Sequence, residues 1–361
     1  MKSNYKKLGE FIRQVDIRNI EGKENNLLGV SVQKTFIPSI ANTVGTDFTK
    51  YKVVKRNQFT YIPDTSRRGD KIGIAYLKEL DEGLVSNVYT VFEVIDENKL
   101  NPEYLMLWFS RPEFDRYARF KSHGSVREVF DWEQMCNVEL PIPPIEKQNE
   151  IVSAYNAISN RIVLKRQINE NLEAQAQAVL AKQISKSHRE TTVDSLITLF
   201  DNMRKPMSSL ERSGMERIYP YYGAAALMDY VDDYIFDGIY GLLGEDGTVM
   251  DENGYPTMQY VWGKFWVNNH AHVFQGKNGY STELVYLLLK KTVVRNAVTG
   301  AVQLKINQEN LRNLPMLVPI SNILDKLNNV IQNTFALIRN NVDEISELEE
   351  LKETLLSKMS D

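Results

Sequence analysis

Cysteine is nearly absent: Cys136 stands alone in 361 residues. That excludes an internal disulfide and a multi-thiolate metal site, and it agrees with a reducing compartment. Long apolar runs are missing too. The longest clear one, LVYLLL at 284–289, falls well short of the roughly 18 residues a membrane span requires. The start, MKSNYKKLGEF, carries charge without a following apolar stretch, so a secretory signal is not expected and a cytoplasmic location is. An excess of one charge sign is also lacking. Lys+Arg number 43 and Asp+Glu 47, for a net charge of −4 and a pI near 5.8, which argues against a whole-chain polyelectrolyte. Hydrophobic residues at 43% and charged residues at 25% are ordinary for a globular chain. The length suits about two domains, each with its own core.

What is present is unevenly distributed. Residues 50–71 hold seven cations (Lys50, Lys52, Lys55, Arg56, Arg67, Arg68, Lys71) against Asp64 and Asp70, and residues 264–312 hold seven more against Glu283 and Glu309. Two basic stretches thus sit inside an acidic average. The chain also repeats. GSVREVFDWEQMCNVELPIP (124–143) laid over GAVQLKINQENLRNLPMLVP (300–319) matches Gly124 with Gly300, Val126 with Val302, Glu133 with Glu309, Asn137 with Asn313 and Pro143 with Pro319, all at a shift of 176. Upstream, EYLMLWF (103–109) resembles LVYLLLK (284–290) once a small gap is allowed. Each copy reads as a short apolar helix, a loop ending at Gly, a β-prone segment, a helical turn and a proline exit into a long helix. Shared order over these elements points to duplication.

The long helices carry the clearest periodicity. Ile151, Tyr155, Ile158, Ile162, Lys165, Asn169, Leu172, Ala176 and Val179 alternate spacings of four and three, the rhythm of a coiled-coil seam. The same shift generates Leu327, Ile331, Thr334, Ile338, Asn341, Ile345, Leu348, Lys352 and Leu355. Both seams turn polar at an equivalent centre, Lys165 and Asn341. In an intramolecular antiparallel pair these centres meet and disfavour slipped registers. About 35 residues at ~1.5 Å each make a rod of about 50 Å. The expected fold class is α+β: two globular lobes, 1–144 and 187–319, separated by two antiparallel coiled-coil helices, 145–186 and 320–361. YKVVKRNQFTYI (51–62), KIGIAYL (71–77) and NVYTVFEVI (87–95) read as strands of the first lobe. DDYIFDGIYGLLGEDG (232–247) and FWVNNHAHVFQG (265–276) read as strands of the second.

Other chemistry is weakly signalled. His270 and His272 alternate on a strand-like run, but no cysteine or second histidine pair supports a metal site, so packing is the expectation. Asp229, Asp232, Asp233, Asp237, Glu245 and Asp246 read as a solvated acidic loop. Gly238, Gly241, Gly244 and Gly247 lack the partners of a phosphate loop or dinucleotide fingerprint and read as turns. No Asn-Pro-Pro-Tyr-like methyltransferase element and no convincing nuclease signature appears. The chain is therefore not expected to be an enzyme.

YYGAAALMDYVDDYIFDGIYGLLGEDG, FWVNNHAHVF and TGAVQLKINQENLRNLPMLVP, followed by a terminal coiled-coil helix, resemble the specificity (S) subunit of type I restriction-modification systems. RRGDKIGIAY, GLVSNVYTVFEV and LPIPPIEKQNEIV extend the resemblance through the first half. The resemblance implies two target-recognition domains related by a pseudo-twofold and held apart by the helices, each reading one half of a split, asymmetric DNA sequence. It implies two modification (methyltransferase) subunits and restriction (helicase-nuclease) subunits as partners. S-adenosylmethionine would then belong to the modification subunits, and ATP with Mg to the restriction subunits, with no cofactor in this chain. Cations would position the phosphate backbone while Arg, Asn and Gln read base edges. The first-lobe candidates are Arg56, Asn57, Gln58, Arg67, Arg68 and Lys71, with Lys121, Ser122, His123, Ser125 and Arg127 around Gly124. The second-lobe candidates are Lys264, Asn268, Asn269, Lys277, Asn278, Arg295 and Lys305. The alternative is a non-catalytic protein-interaction scaffold with duplicated lobes on a coiled-coil spacer, which steep salt dependence would argue against.

Overall fold

Helix signals written in the sequence shape the first part of the chain. Asn101 caps α1 (Pro102–Phe109) by accepting from the N–H groups of Glu103 and Tyr104, with Pro102 in the first turn. A second proline-led helix, α2 (Pro112–Lys121), follows after two residues. Asp131 caps α3 (Trp132–Cys136), and α4 runs from Ile145 to Lys186. The computed structural model describes residues 5–40, 44–65, 71–124, 128–300 and 303–360. Arg67, Arg68, Ser125 and Arg127 lie outside the described residues. Among those described, no helix is long and apolar enough to cross a membrane. The chain divides into two compact units, Met1–Leu164 with Ile345–Asp361, and Lys165–Glu344. Each therefore takes one lobe and part of both long helices.

In the first unit a four-stranded antiparallel sheet is ordered Ile12–Val15, Thr90–Val94, Gln58–Tyr61, Ile74–Tyr76. A three-stranded sheet (Ile17–Arg18, Lys52–Lys55, Glu82–Val85) stands beside it, and Tyr5–Lys7 pairs with Glu139–Pro141. Phe59 and Phe92 stack at 4.9 Å between centroids, joined in the core by Tyr61, Phe109, Phe114 and Phe130. Val152 of α4 and Met359, near the chain end, close this core.

The second unit holds α5 (Ser209–Ser213), α6 (Thr282–Lys290), α7 (Gln308–Arg312) and the greater part of α8 (Leu324–Ser357). Its sheet has six strands, ordered Ile197–Leu199, Ala271–Gly276, Phe236–Gly244, Met258–Val267, Tyr219–Tyr222, Leu227–Val231. All neighbours are antiparallel except Tyr219–Tyr222 against Met258–Val267. The glycines expected in turns are corrected here: Gly238, Gly241 and Gly244 lie within a strand. At Gly241 a Cβ would come within 2.1 Å of the Phe274 ring, so side-chain packing, not turn geometry, demands glycine there. Only Gly247, at φ +81°, lies in a bend.

The two units repeat the same frame. Tyr5–Lys7 with Glu139–Pro141 corresponds to His188–Thr192 with Pro315–Pro319. The Asp131 cap of α3 corresponds to the Asn307 cap of α7. A long-helix amide also fixes the start of each apolar helix. Gln148 Oε1 accepts from the Asn101 N–H at 2.8 Å while its Nε2 donates to the Lys99 carbonyl at 2.9 Å. Asn328 Oδ1 accepts from the Ser281 N–H at 3.0 Å while its Nδ2 donates to the Gly279 carbonyl. Asn101 and Ser281 are the caps of α1 and α6.

Inside the second unit α4 and α8 run antiparallel. Lys165 Nζ donates to Asn341 Oδ1 at 2.9 Å and pairs with Glu344 at 2.6 Å, and Asn341 Nδ2 donates to Asn169 Oδ1 at 2.8 Å. Ala176, Leu180, Ile331 and Phe335 lie in the core of this unit. Every seam position named for α8 is buried or half-buried. On α4, Val179 is exposed and Leu180 is buried in its place. A straight helix drifts against a strict seven-residue repeat, and at this end the helix packs on its lobe.

Candidate nucleic-acid interface

In the first lobe the basic stretch is built around a two-residue connection between Lys52–Lys55 and Gln58–Tyr61. Asn57 takes a left-handed φ of +66°, which asparagine tolerates better than most residues. Its side-chain Oδ1 accepts from the Tyr76 hydroxyl at 2.9 Å. The Arg56 guanidinium donates to Asp81 at 2.7 Å and to the Lys78 carbonyl at 3.0 Å, and remains half-exposed. Gln58 corrects the expectation of a base-reading amide. It is 5% exposed, donates to Glu93 at 2.8 Å and accepts from the Lys55 N–H at 2.8 Å. Both ends of that amide hold the lobe together.

Lys71, Lys121 and His123 are exposed. The Ser122 hydroxyl closes α2 by donating to the Ala118 carbonyl and accepts from Thr65. His123 and Val129 exchange backbone hydrogen bonds on either side of Gly124, whose φ is +131°. Residues 128–130 run beside 63–65, with Thr65 N–H donating to the Glu128 carbonyl and Phe130 N–H to the Pro63 carbonyl.

The 176 shift carries this loop into the second lobe. Thr299 and Lys305 exchange the equivalent bonds on either side of Gly300, at φ +92°, and residues 304–306 run beside 245–247. A Cβ on Gly300 would sit 2.1 Å from the Gln303 carbonyl oxygen, so glycine is required. Lys305 is exposed, with its ammonium 3.2 Å from Glu245. Lys264, Asn269, Asn278 and Arg295 are exposed, and Lys277 is half-buried. Lys264 lies over the Tyr234 ring at 4.5 Å. Asn278 closes a turn at φ +54° and donates to the Ser195 carbonyl. Asn268 is a second correction: 4% exposed, it accepts from the His270 N–H at 2.8 Å and turns its amide nitrogen toward Met228. It shapes the turn and presents no edge outward.

Two separate segments of the chain, residues 6–174 and 192–349, match the family model described as type I restriction modification DNA specificity domain. The chain belongs to that family. A putative type I restriction enzyme specificity subunit of Haemophilus influenzae is 35% identical over 128 residues, which cover 35% of this chain and 32% of that relative. The matched region is thus about a third of the relative's length. A crystal structure of a type I restriction-modification S subunit from M. genitalium superposes with a TM-score of 0.58 at 13% identity, covering 99% of this chain and 96% of that one. The specificity-subunit fold is the likeness this carries.

Within this specificity-domain chain one group among the described residues has metal-ligand spacing: Asp201, Glu245 and His272. Its chemistry is already satisfied. Fully buried His272 has Nδ1 2.6 Å from Asp201 and Nε2 2.8 Å from the Ile306 carbonyl, which leaves neither ring nitrogen free to ligate. Arg204 pairs with Glu245 at 2.7 Å, and Lys305 approaches the same carboxylate. Burial works against the Asp201 charge, but His272, the Val273 N–H and Arg204 outweigh it and hold the carboxyl below its usual range. Glu245 is likewise desolvated yet held low by Arg204, His272 and Lys305. His270 sits apart, bonded to Asp246 at 2.6 Å. Of the expected acidic loop, Asp232, Asp233 and Asp237 are exposed, whereas Asp229 pairs with Arg212 and Arg217.

Proposed function

We propose that this chain is the non-catalytic DNA-specificity subunit of a type I restriction-modification complex, reading a bipartite, asymmetric duplex sequence. The observation that carries the reading is the double match to one DNA specificity domain model, once over each lobe. Asymmetry of the target follows from unlike lobes: the principal sheets have four and six strands. Lys71, Lys121 and His123 would meet the duplex from the first lobe, and Lys264, Asn269, Asn278, Arg295 and Lys305 from the second. Arg67, Arg68, Ser125 and Arg127 complete the first set on sequence grounds. Arg56 and Asn57 support it from the turn between two strands.

Two methyltransferase subunits and restriction subunits would act on the sequence so chosen, in the cytoplasm. S-adenosylmethionine belongs to the former and ATP with Mg to the latter; this chain supplies none of these. Exposed apolar side chains on the long helices, such as Ile168 and Leu337, suit subunit docking.

The test is enrichment of a random duplex library by the full chain co-expressed with its methyltransferase partner. The expected result is a split consensus whose affinity falls steeply with salt, by a log–log slope of about 0.9 per phosphate contacted. No sequence preference would overturn the assignment in favour of a protein-binding scaffold.

A further inference from the structure

Helix α2 buries Phe114, Asp115 and Ala118 and turns Arg116, Arg119, Phe120 and Lys121 outward. Phe120 is 82% exposed. The Lys121 ammonium lies 5.8 Å from its ring centroid, and Arg116 precedes it by one helical turn. Lys71 and Arg119 line the same concavity, of about 690 Å³. The local carboxylates are engaged: Asp115 by buried Lys34, Glu113 by Arg116 and Arg111, and Glu128 by Arg119. An aromatic ring thus stands in water inside a cationic rim.

We propose that Phe120 is a wedge that enters the duplex at the half-site met by the first lobe, opening one base step while Lys121 and Lys71 hold the flanking phosphates. A duplex offers apolar base faces between rows of phosphate, the complement of an apolar centre with a positive rim. A protein contact would be matched by a broader apolar patch, whereas the outward neighbours of Phe120 on α2 are charged. The proposal rests on the DNA-reading assignment above.

The experiment uses the full chain with its methyltransferase partner and the duplex enriched from the random library, carrying 2-aminopurine at successive positions of each half-site. Wild type should raise the fluorescence at one step of the half-site met by the first lobe, apart from any base that the methyltransferase itself flips out. Phe120→Ala should abolish that rise and weaken binding about tenfold or more, with the salt slope and thermal midpoint unchanged because the ring is exposed. Phe120→Leu should recover part of the rise, since aliphatic wedges also unstack bases. Lys121→Gln should shallow the salt slope while keeping the rise. If wild type enriches no sequence, the DNA assignment falls and the wedge falls with it. If it enriches a sequence without opening any such step, or Phe120→Ala binds and fluoresces like wild type, the wedge alone is overturned. Loss of the methyltransferase partner from Phe120→Ala, with DNA binding intact, would make Phe120 a protein contact instead.

Discussion

Among the described residues, the first unit buries one simple ion pair, Lys34 with Asp115 at 2.7 Å, in which Asp115 also accepts from the Ile72 N–H. The second buries a network: His272, Asp201, Arg204 and Glu245, extended by Gln308 and Lys305. The frames around these interiors are nevertheless alike, down to the amide that holds each cap residue, Gln148 on Asn101 and Asn328 on Ser281. The amide bonds in the frame go to backbone groups, which any sequence supplies. The interior bonds also join side chain to side chain, and those partners change whenever the lobe changes. Lobes diverging on a kept frame is the outcome expected when each half must address its own partner sequence.

The strongest way to break this comparison is His272→Leu. It leaves the Asp201 carboxylate buried without its histidine partner and should cost about 3–5 kcal/mol. Hydrogen exchange should show protection lost along Ala271–Gly276 and kept along Thr90–Val94; equal loss in both would make the units one cooperative body. The same network predicts acid sensitivity. Asp201 and Glu245 are held below their ordinary values of 3.8 and 4.5, so below those values the unfolded chain binds more protons than the folded one. The stability they contribute is present above that range and lost as pH falls through the depressed folded values. Segment-resolved exchange through pH 4 to 2 should show the strand Ala271–Gly276 opening early in wild type. In Asp201→Asn that acid step should shrink.

The shared frame is sharpened by paired substitutions. Gln148 is fully buried and makes three hydrogen bonds, including one to the Pro143 carbonyl, whereas Asn328 makes two near the surface. Gln148→Leu should cost about 2–3 kcal/mol and Asn328→Leu about 1 kcal/mol in denaturant unfolding. Equal costs would show that burial does not set the strength of these clamps. Smallest is the effect of Lys165→Leu with Asn341→Leu. Stability should hold or rise by up to about 1 kcal/mol, since a polar seam residue trades stability for register. The register change should appear as additional cross-linked species between cysteines placed along the two helices.

Much of the frame was legible because duplication writes it twice. The 176 shift places His123 with Thr299 and Val129 with Lys305, and those residues form matching bridges. The heptad rhythm put Lys165 beside Asn341. Helix α2 was missed because charged residues crowd its short apolar face of Phe114, Tyr117 and Ala118. Gln58 and Asn268 were read as surface because an amide looks the same whether it faces a base or a carboxylate. The clamps left no signal, since one Gln and one Asn have no period.

Local order along the chain determined the helices, their caps, the repeated loops and the family, because spacing, proline and glycine act through backbone geometry at short range. Which polar side chains remain outside was decided by tertiary structure alone. Burial depends on what the rest of the fold lays over a residue, and that covering comes from segments as distant as Phe48 from Asn19 or Gln308 from Asp201.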